Sequence, residues 1–194
     1  MRLIIATGNE DKVREIDEIL EGTGFEAISM KQAGFNPDIV EDGTTFEENA
    51  LKKAMAVHEL SGEYVMADDS GLCIDALDGA PGIYSARFCG EYSTYEEKFR
   101  KIFEMLADVP EDKRTAQFVC AIAVVKPDGT SFTVRGECRG VLHEKPVGEN
   151  GFGYDPIFYV PEFGMTTAQM EPEVKNSISH RGRALRAMVE KLTV

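Results

Sequence analysis

An α/β fold built on a mixed sheet is what this 194-residue sequence predicts, and three observations carry the prediction. An apolar run at residues 2–6 leads through Thr7-Gly8-Asn9 into a stretch of helical periodicity, which makes a βα unit. A second periodic stretch, from Phe46, leads into another apolar run at 64–67. Phe118–Val125 and Ser131–Glu137 flank the turn signal Pro127-Asp128-Gly129 and read as a hairpin. Successive βα units favour parallel strands and a hairpin requires antiparallel ones, so both kinds of pairing are expected.

Taken in order, residues 2–6 form a short buried strand. Val13, Ile16, Ile19 and Leu20 recur at helical spacing over 11–20, and Gly22 and Gly24 end that helix. Residues 25–30 form a second strand, followed by a turn-rich loop through Pro37 to Gly43. Thr44 with Glu47 and Thr45 with Glu48 make overlapping capping boxes. The helix they open runs to about Leu60, with Phe46, Ala50, Ala54 and Val57 on one face. The strand at 64–67 stops at Asp68-Asp69-Ser70-Gly71, and a further strand follows at 72–77. Ser93 with Glu96 opens the next amphipathic helix, which carries Phe99, Ile102, Phe103 and Leu106. Gly140–His143 extends the sheet, and a glycine-rich loop from Gly148 to Pro156 precedes a strand at 157–160. From about Thr167 the tail is helical, interrupted at 176–179 and restarted at a cap, Ser179. No repeat, low-complexity tract or linker divides the chain, so residues 1–194 are expected to form a single domain.

Charge narrows the function. The chain has 34 acidic residues against 21 Lys and Arg, a net charge of -13. Nucleic acids are bound mainly by neutralising phosphates, so the balance argues against a polynucleotide partner. A small polyanion stays compatible, because a metal and a few local cations can invert the field inside one site. No window approaches a membrane span, and the N-terminal apolar run is too short for a signal-peptide core. The expected compartment is therefore cytoplasmic, with no membrane partner. The four cysteines form no C-x-x-C pair, and two lie in apolar stretches as expected of reduced core thiols.

Four constellations could carry chemistry. Thr7-Gly8-Asn9-Glu10-Asp11-Lys12 puts a strand end against a helix start, where unpaired N–H groups and the dipole favour phosphate. Asn9 as a plain N-cap and Lys12 as a surface charge explain the same residues, and the spacing is not that of a P-loop. Asp68-Asp69 at the end of an apolar strand places two carboxylates side by side, a repulsion that a divalent cation relieves. Hard oxygen ligands of this kind suit Mg²⁺, while an Asx turn is the plainer alternative. Only one of the two carboxylates should face the ion, since neighbouring strand residues point to opposite sides. Glu41 could be a second ligand or an ordinary loop acid, and Lys52 and Lys53 could face phosphates or solvent.

Gly151-Phe152-Gly153-Tyr154-Asp155 offers close backbone approach, a stacking face on Phe152 and an acceptor on Asp155, or else a simple turn. Lys175, His180 and Arg181 gather three cationic or potentially cationic donors near a helix start capped by Ser179, or else belong to an ordinary capped C-terminal helix with a surface Arg. A serine-hydrolase reading of Ser70 with His180 lacks the Gly-x-Ser-x-Gly elbow, and zinc lacks any paired Cys/His spacing.

In combination these motifs closely resemble one family. Ala6-Thr7-Gly8-Asn9-x-x-Lys12, Gly43-x-Thr45-Phe46-x-Glu48-Asn49-Ala50 and Ala67-Asp68-Asp69-Ser70-Gly71-Leu72 come first. Pro81-Gly82-Ile83-Tyr84-Ser85-Ala86-Arg87, Gly151-Phe152-Gly153-Tyr154-Asp155-Pro156 and Ser179-His180-Arg181 complete the set. Together they resemble the inosine/xanthosine triphosphate pyrophosphatases, from Thr7 to Arg181. The resemblance implies an elongated α/β fold with a mixed central sheet, two lobes and a cleft between them, and a homodimer. It implies Mg²⁺-dependent conversion of ITP, dITP and XTP to monophosphate and pyrophosphate. It also implies Asp69 as catalytic base and Mg²⁺ ligand, with Glu41 as a second ligand. Thr7, Gly8, Asn9, Glu10, Asp11 and Lys12 would hold the triphosphate, and Ser70 would contact substrate. Phe152, Gly153, Tyr154, Asp155, Lys175, His180 and Arg181 would build the nucleotide and base pocket.

Overall fold

The structure, a computed structural model, describes residues 1–193. Seven strands lie in the order β2-β1-β3-β4-β5-β6-β7, and the chain forms two compact units that interleave in sequence.

The first unit comprises residues 1–69, 120–136 and the chain from His180. It begins with β1 (Arg2–Ile5), α1 (Glu10–Leu20), β2 (Glu26–Ser29) and α2 (Phe46–Ser61). Strand β3 (Val65–Ile74) starts here, and β4 (Thr115–Val125) and β5 (Ser131–Leu142) each contribute one end. Helix α5 (His180–Thr193) completes the unit. β1 runs parallel to both neighbours, with Ile4 opposite Ile28 and Val65. Its apolar run has no polar alternation because both faces are covered. Leu3 and Ile5 pack with Ile16, Leu20, Leu185 and Met188, whereas Ile4 and Ala6 pack with Ala50, Ala54 and Val57. The periodicity read from α1 and α2 thus faces opposite sides of one strand.

The second unit comprises residues 70–119 and 137–179. It holds α3 (Tyr95–Met105), β6 (Phe158–Val160), β7 (Met165–Thr166), α4 (Pro172–Ile178) and the remaining parts of β3, β4 and β5. β6 is antiparallel to β5, with Leu142 opposite Phe158, and antiparallel to β7, with Val160 opposite Met165. Its core gathers Leu72, Ile74, Phe99, Ile102, Leu106, Phe118 and Phe158. Parallel pairs at β1 and antiparallel pairs at β6 make the sheet mixed, as predicted.

Four local expectations are corrected. Strand β3 does not stop at Asp68 but continues through Asp69, Ser70 and Gly71 to Ile74, and Asp75–Leu77 is a single 3-10 turn. Both carboxylates have basic partners, described below, and their charge therefore does not break the strand. The box on α3 is Thr94 with Glu97, because the Ser93 hydroxyl donates to the carbonyls of Phe88 and Gly90. On α2, Thr45 caps Glu48 N–H, while the Glu48 carboxylate reaches past it to the N–H of Thr44, 2.6 Å away. Glu47 instead pairs with Arg135. The tail opens with a 3-10 turn at Thr167–Gln169, becomes helical only from Pro172, and breaks again at Ser179, since Asn176–Ile178 finish α4.

Candidate active site

The turn after β1 is built as a helix start. Asn9 caps α1, its Oδ1 accepting the N–H groups of Asp11 at 3.0 Å and Lys12 at 3.2 Å. Thr7 Oγ1 accepts the N–H of Asn9. The N-cap role of Asn9 is therefore real, and it occupies two amides of the first turn. Glu10 and Asp11 suit the positive end of the helix dipole, but their carboxylates repel phosphate. Whatever they contribute to an anion comes through the backbone. Lys12 is not a surface charge: its Nζ lies 3.1 Å from Asp68 Oδ1.

Asp68 and Asp69 point to opposite sides of β3, as alternation requires. Asp68 is completely buried, and its Oδ2 accepts from Arg181 Nε at 3.3 Å and Nη2 at 3.1 Å. The same guanidinium reaches Glu15 through Nη1. Burial pushes the Arg181 pKa down, yet Asp68 and Glu15 more than reverse that and hold it charged. Such a buried network satisfies each member while costing much if one is removed.

Asp69 faces α2 instead. Lys53 Nζ lies 3.1 Å from Asp69 Oδ1 and 2.8 Å from Glu41 Oε2, and Asn49 Nδ2 lies 3.3 Å from Asp69 Oδ2. Burial raises the Asp69 carboxyl above its ordinary range, against the opposing pull of Lys53 and Lys12. Burial lowers the Lys53 ammonium, but Asp69, Asp68 and Glu41 together lift it above its usual value. Lys52, its neighbour, points outward to Asp42. Asp69 and Glu41 thus converge on a single ammonium. Among the described residues no group of three or more His, Cys, Asp or Glu could by itself hold a metal. Two converging hard carboxylates fit Mg²⁺, which takes one or two protein carboxylates and completes its shell with water and phosphate oxygens.

The glycine-rich loop of the second unit is organised by Asp155. Its Oδ2 accepts Lys175 Nζ at 2.6 Å and the N–H of Phe152 at 2.9 Å, and its Oδ1 accepts Thr167 Oγ1 at 2.8 Å. Gly151 has φ +72, and a Cβ there would fall 2.2 Å from Asp155 Oδ2, so only glycine closes this turn. Phe152 is half-buried, its ring centroid 5.2 Å from Lys175 Nζ. Tyr154 is part of the core: its hydroxyl donates to the Ser85 carbonyl at 2.7 Å and its ring meets Tyr95 edge-on. Burial pushes its phenol far above the ordinary value.

The structure therefore brings together Phe152, Gly153, Tyr154, Asp155 and Lys175 in one unit. Thr7, Gly8, Asn9, Glu10, Asp11, Lys12, Glu41, Asp69, His180 and Arg181 fall in the other. Ser70 follows Asp69 on β3, half-buried, and His180 opens α5, buried. Sequence reasoning missed Glu15 and Asn49. Glu15 follows Lys12 by three residues, onto the buried face of α1, a position where an acid signals a buried partner. Asn49 and Lys53 lie on the apolar face of α2 beside Ala50, Ala54 and Val57, the same kind of signal.

The sequence profile of the Ham1 family matches residues 3–191. A dITP/XTP pyrophosphatase of Desulforamulus reducens is 48% identical over 192 residues, which are 99% of this chain and 96% of that protein. Another, of Geobacter sulfurreducens, is 48% identical over 191 residues, 98% of this chain and 96% of the relative. A solved HAM1 protein from Coxiella burnetii superposes with a TM-score of 0.89 at 39% identity, over 100% of this chain and 98% of that one. The Ham1 protein of Staphylococcus aureus superposes with a TM-score of 0.88, also at 39% identity and with the same coverage. Sequence and fold agree along the whole length, and the chain belongs to the Ham1 family.

Proposed function

We propose that this chain hydrolyses dITP, ITP and XTP to the nucleoside monophosphate and pyrophosphate, removing damaged purines from the nucleotide pool. The activity for which its relatives are named, dITP/XTP pyrophosphatase, supports the reading at 48% identity. The observation that carries it in this molecule is Asp69, a buried carboxylate beside Lys53 with Glu41 converging on the same point.

Asp69 and Glu41 are the residues that would hold Mg²⁺, which would supply positive charge against that of the phosphates. Asp69 takes the proton of the attacking water, a role open to a buried carboxylate held by two side-chain donors. Lys12 and the first turn of α1, from Thr7 through Asp11, receive the charge that develops on the departing pyrophosphate. Phe152 supplies a stacking face, and Ser70, the backbone at Gly153 and Tyr154, Lys175 and His180 supply polar contacts to the nucleotide. Asp155 and Arg181 act by position, since Asp155 fixes the loop and Arg181 fixes Asp68. Donors aimed at a 6-oxo group would disfavour adenine, whose 6-amino group leaves them unpaired at about 1–3 kcal/mol each.

The working form in this reading is a homodimer in the cytoplasm. The net charge of -13 supports the absence of a nucleic-acid partner. No helix of the described residues is long and apolar enough to cross a membrane.

The test is pyrophosphate and orthophosphate release from dITP, ITP, XTP, GTP, ATP and UTP, with Mg²⁺ and with EDTA. Metal-dependent pyrophosphate release favouring the first three is expected, whereas orthophosphate alone would mean cleavage at the γ-phosphate. Light scattering on the eluted protein should return twice the chain mass of 21.4 kDa.

A further inference from the structure

The two donors that grip Asp69 come from a single helix face. Asn49 and Lys53 are four residues apart on α2, and each takes one oxygen of the carboxylate. The Asn49 amide also has a second partner, because its Oδ1 accepts the backbone N–H of Gly43 at 2.8 Å. A backbone N–H can only donate. The amide oxygen must therefore face Gly43, which turns the NH₂ toward Asp69 and leaves one possible orientation. Asn49 is 1% exposed, so water does not replace either bond. Gly43 packs against it so closely that a Cβ would fall 2.6 Å from Asn49 Oδ1 and 2.9 Å from Glu48 Cβ.

We infer that Asn49 is a positioning residue for the hydrolysis. Its one amide ties the Glu41-Asp42-Gly43 loop to Asp69 and fixes the rotamer of the Asp69 carboxylate. Oδ2 is held by the amide, and Oδ1 is left facing Lys53 and, through it, Glu41. The pairing of the two acids is then set by a buried side chain whose own partners are Gly43 and Asp69. Its effect on turnover rests on the pyrophosphatase reading, whereas the clamp itself does not.

Three variants separate the two ends of the clamp. Asn49→Ala removes both bonds. Asn49→Asp keeps an acceptor for Gly43 but offers no N–H to Asp69. Gly43→Ala keeps the Asn49 and Asp69 side chains but puts a Cβ 2.6 Å from Asn49 Oδ1, so the amide has to shift. Each is checked for folding by thermal melting, then measured for dITP turnover and, by NMR, for hydrogen exchange at the backbone amide of position 43. Asn49→Ala should speed exchange at Gly43 by about tenfold, the scale of one lost buried acceptor. Asn49→Asp should keep that amide protected. Both should lower kcat by about 10²-fold, the scale of a misplaced catalytic group, with little change in KM. Gly43→Ala should fall in the same direction, so the inference remains testable if Asn49→Ala fails to fold. Wild-type turnover by Asn49→Asp would reduce Asn49 to a loop anchor, and unchanged exchange at Gly43 in Asn49→Ala would remove the clamp altogether. If the wild-type protein releases no pyrophosphate at all, the pyrophosphatase reading fails, and the exchange data still decide the clamp.

Discussion

Asp155 and Asp69 are both buried carboxylates paired with a buried lysine, yet their surroundings differ in completeness. Asp155 accepts three hydrogen bonds, from Lys175, Thr167 and the Phe152 amide, at 2.6 to 2.9 Å. Asp69 accepts two, from Lys53 and Asn49, at 3.1 and 3.3 Å. Short, charge-assisted and saturated bonds make the first carboxylate an organiser of its loop. Longer and fewer bonds leave the second able to take on another partner. Composition does not separate the two, since each is an aspartate near a lysine, and the bond count does.

The largest effect that would break this contrast lies in the chemistry. Asp69→Asn is expected to cut kcat by about 10²–10⁴-fold, the range of a lost general base, with the melting transition retained. Near-normal pyrophosphate release from the folded variant would take Asp69 out of the base role. Asp155→Asn should act on the fold instead, costing about 3 kcal/mol in urea denaturation, because it leaves the buried Lys175 ammonium without its counter-charge. A variant as stable as wild type but unable to select purines would return Asp155 to base recognition. Gly151→Ala, which strains a left-handed backbone and crowds Asp155, should cost about 2 kcal/mol by the same measurement. The smallest effect expected is that of Lys12→Ala. It should raise KM for dITP by about tenfold, worth about 1.4 kcal/mol, and an unchanged KM would detach Lys12 from the phosphates.

Much of this was legible in advance, for identifiable reasons. Apolar periodicity marks α1, α2 and α3 because a helix must bury one stripe, and the hairpin at Pro127-Asp128-Gly129 follows from turn chemistry. The opposite orientations of Asp68 and Asp69 followed from strand alternation alone. The continuity of β3 through those aspartates did not follow, because it depends on Arg181, which is 113 residues away from Asp68. Lys53 differs from Lys52 by lying on the apolar face of α2, but which carboxylates it meets there is set by packing. Asn49 stands in one of the family motifs with no role attached to it, since its partners, Gly43 and Asp69, are set by packing. The Ser93 and Thr94 boxes differ by one register step, which only the competing carbonyls of Phe88 and Gly90 resolve.

The ion pair between Lys12 and Asp68 has a bearing on how quickly product can leave. An ammonium with no partner would add its full attraction to any phosphate that arrived. Lys12 already holds a carboxylate at 3.1 Å, so a phosphate that reached it would share the ammonium with Asp68 and meet that carboxylate's repulsion. Binding then reflects the difference between the two. On the proposed pyrophosphatase reading, the same carboxylate would take back the full ammonium as pyrophosphate departs, so the pair that weakens capture would also hasten release.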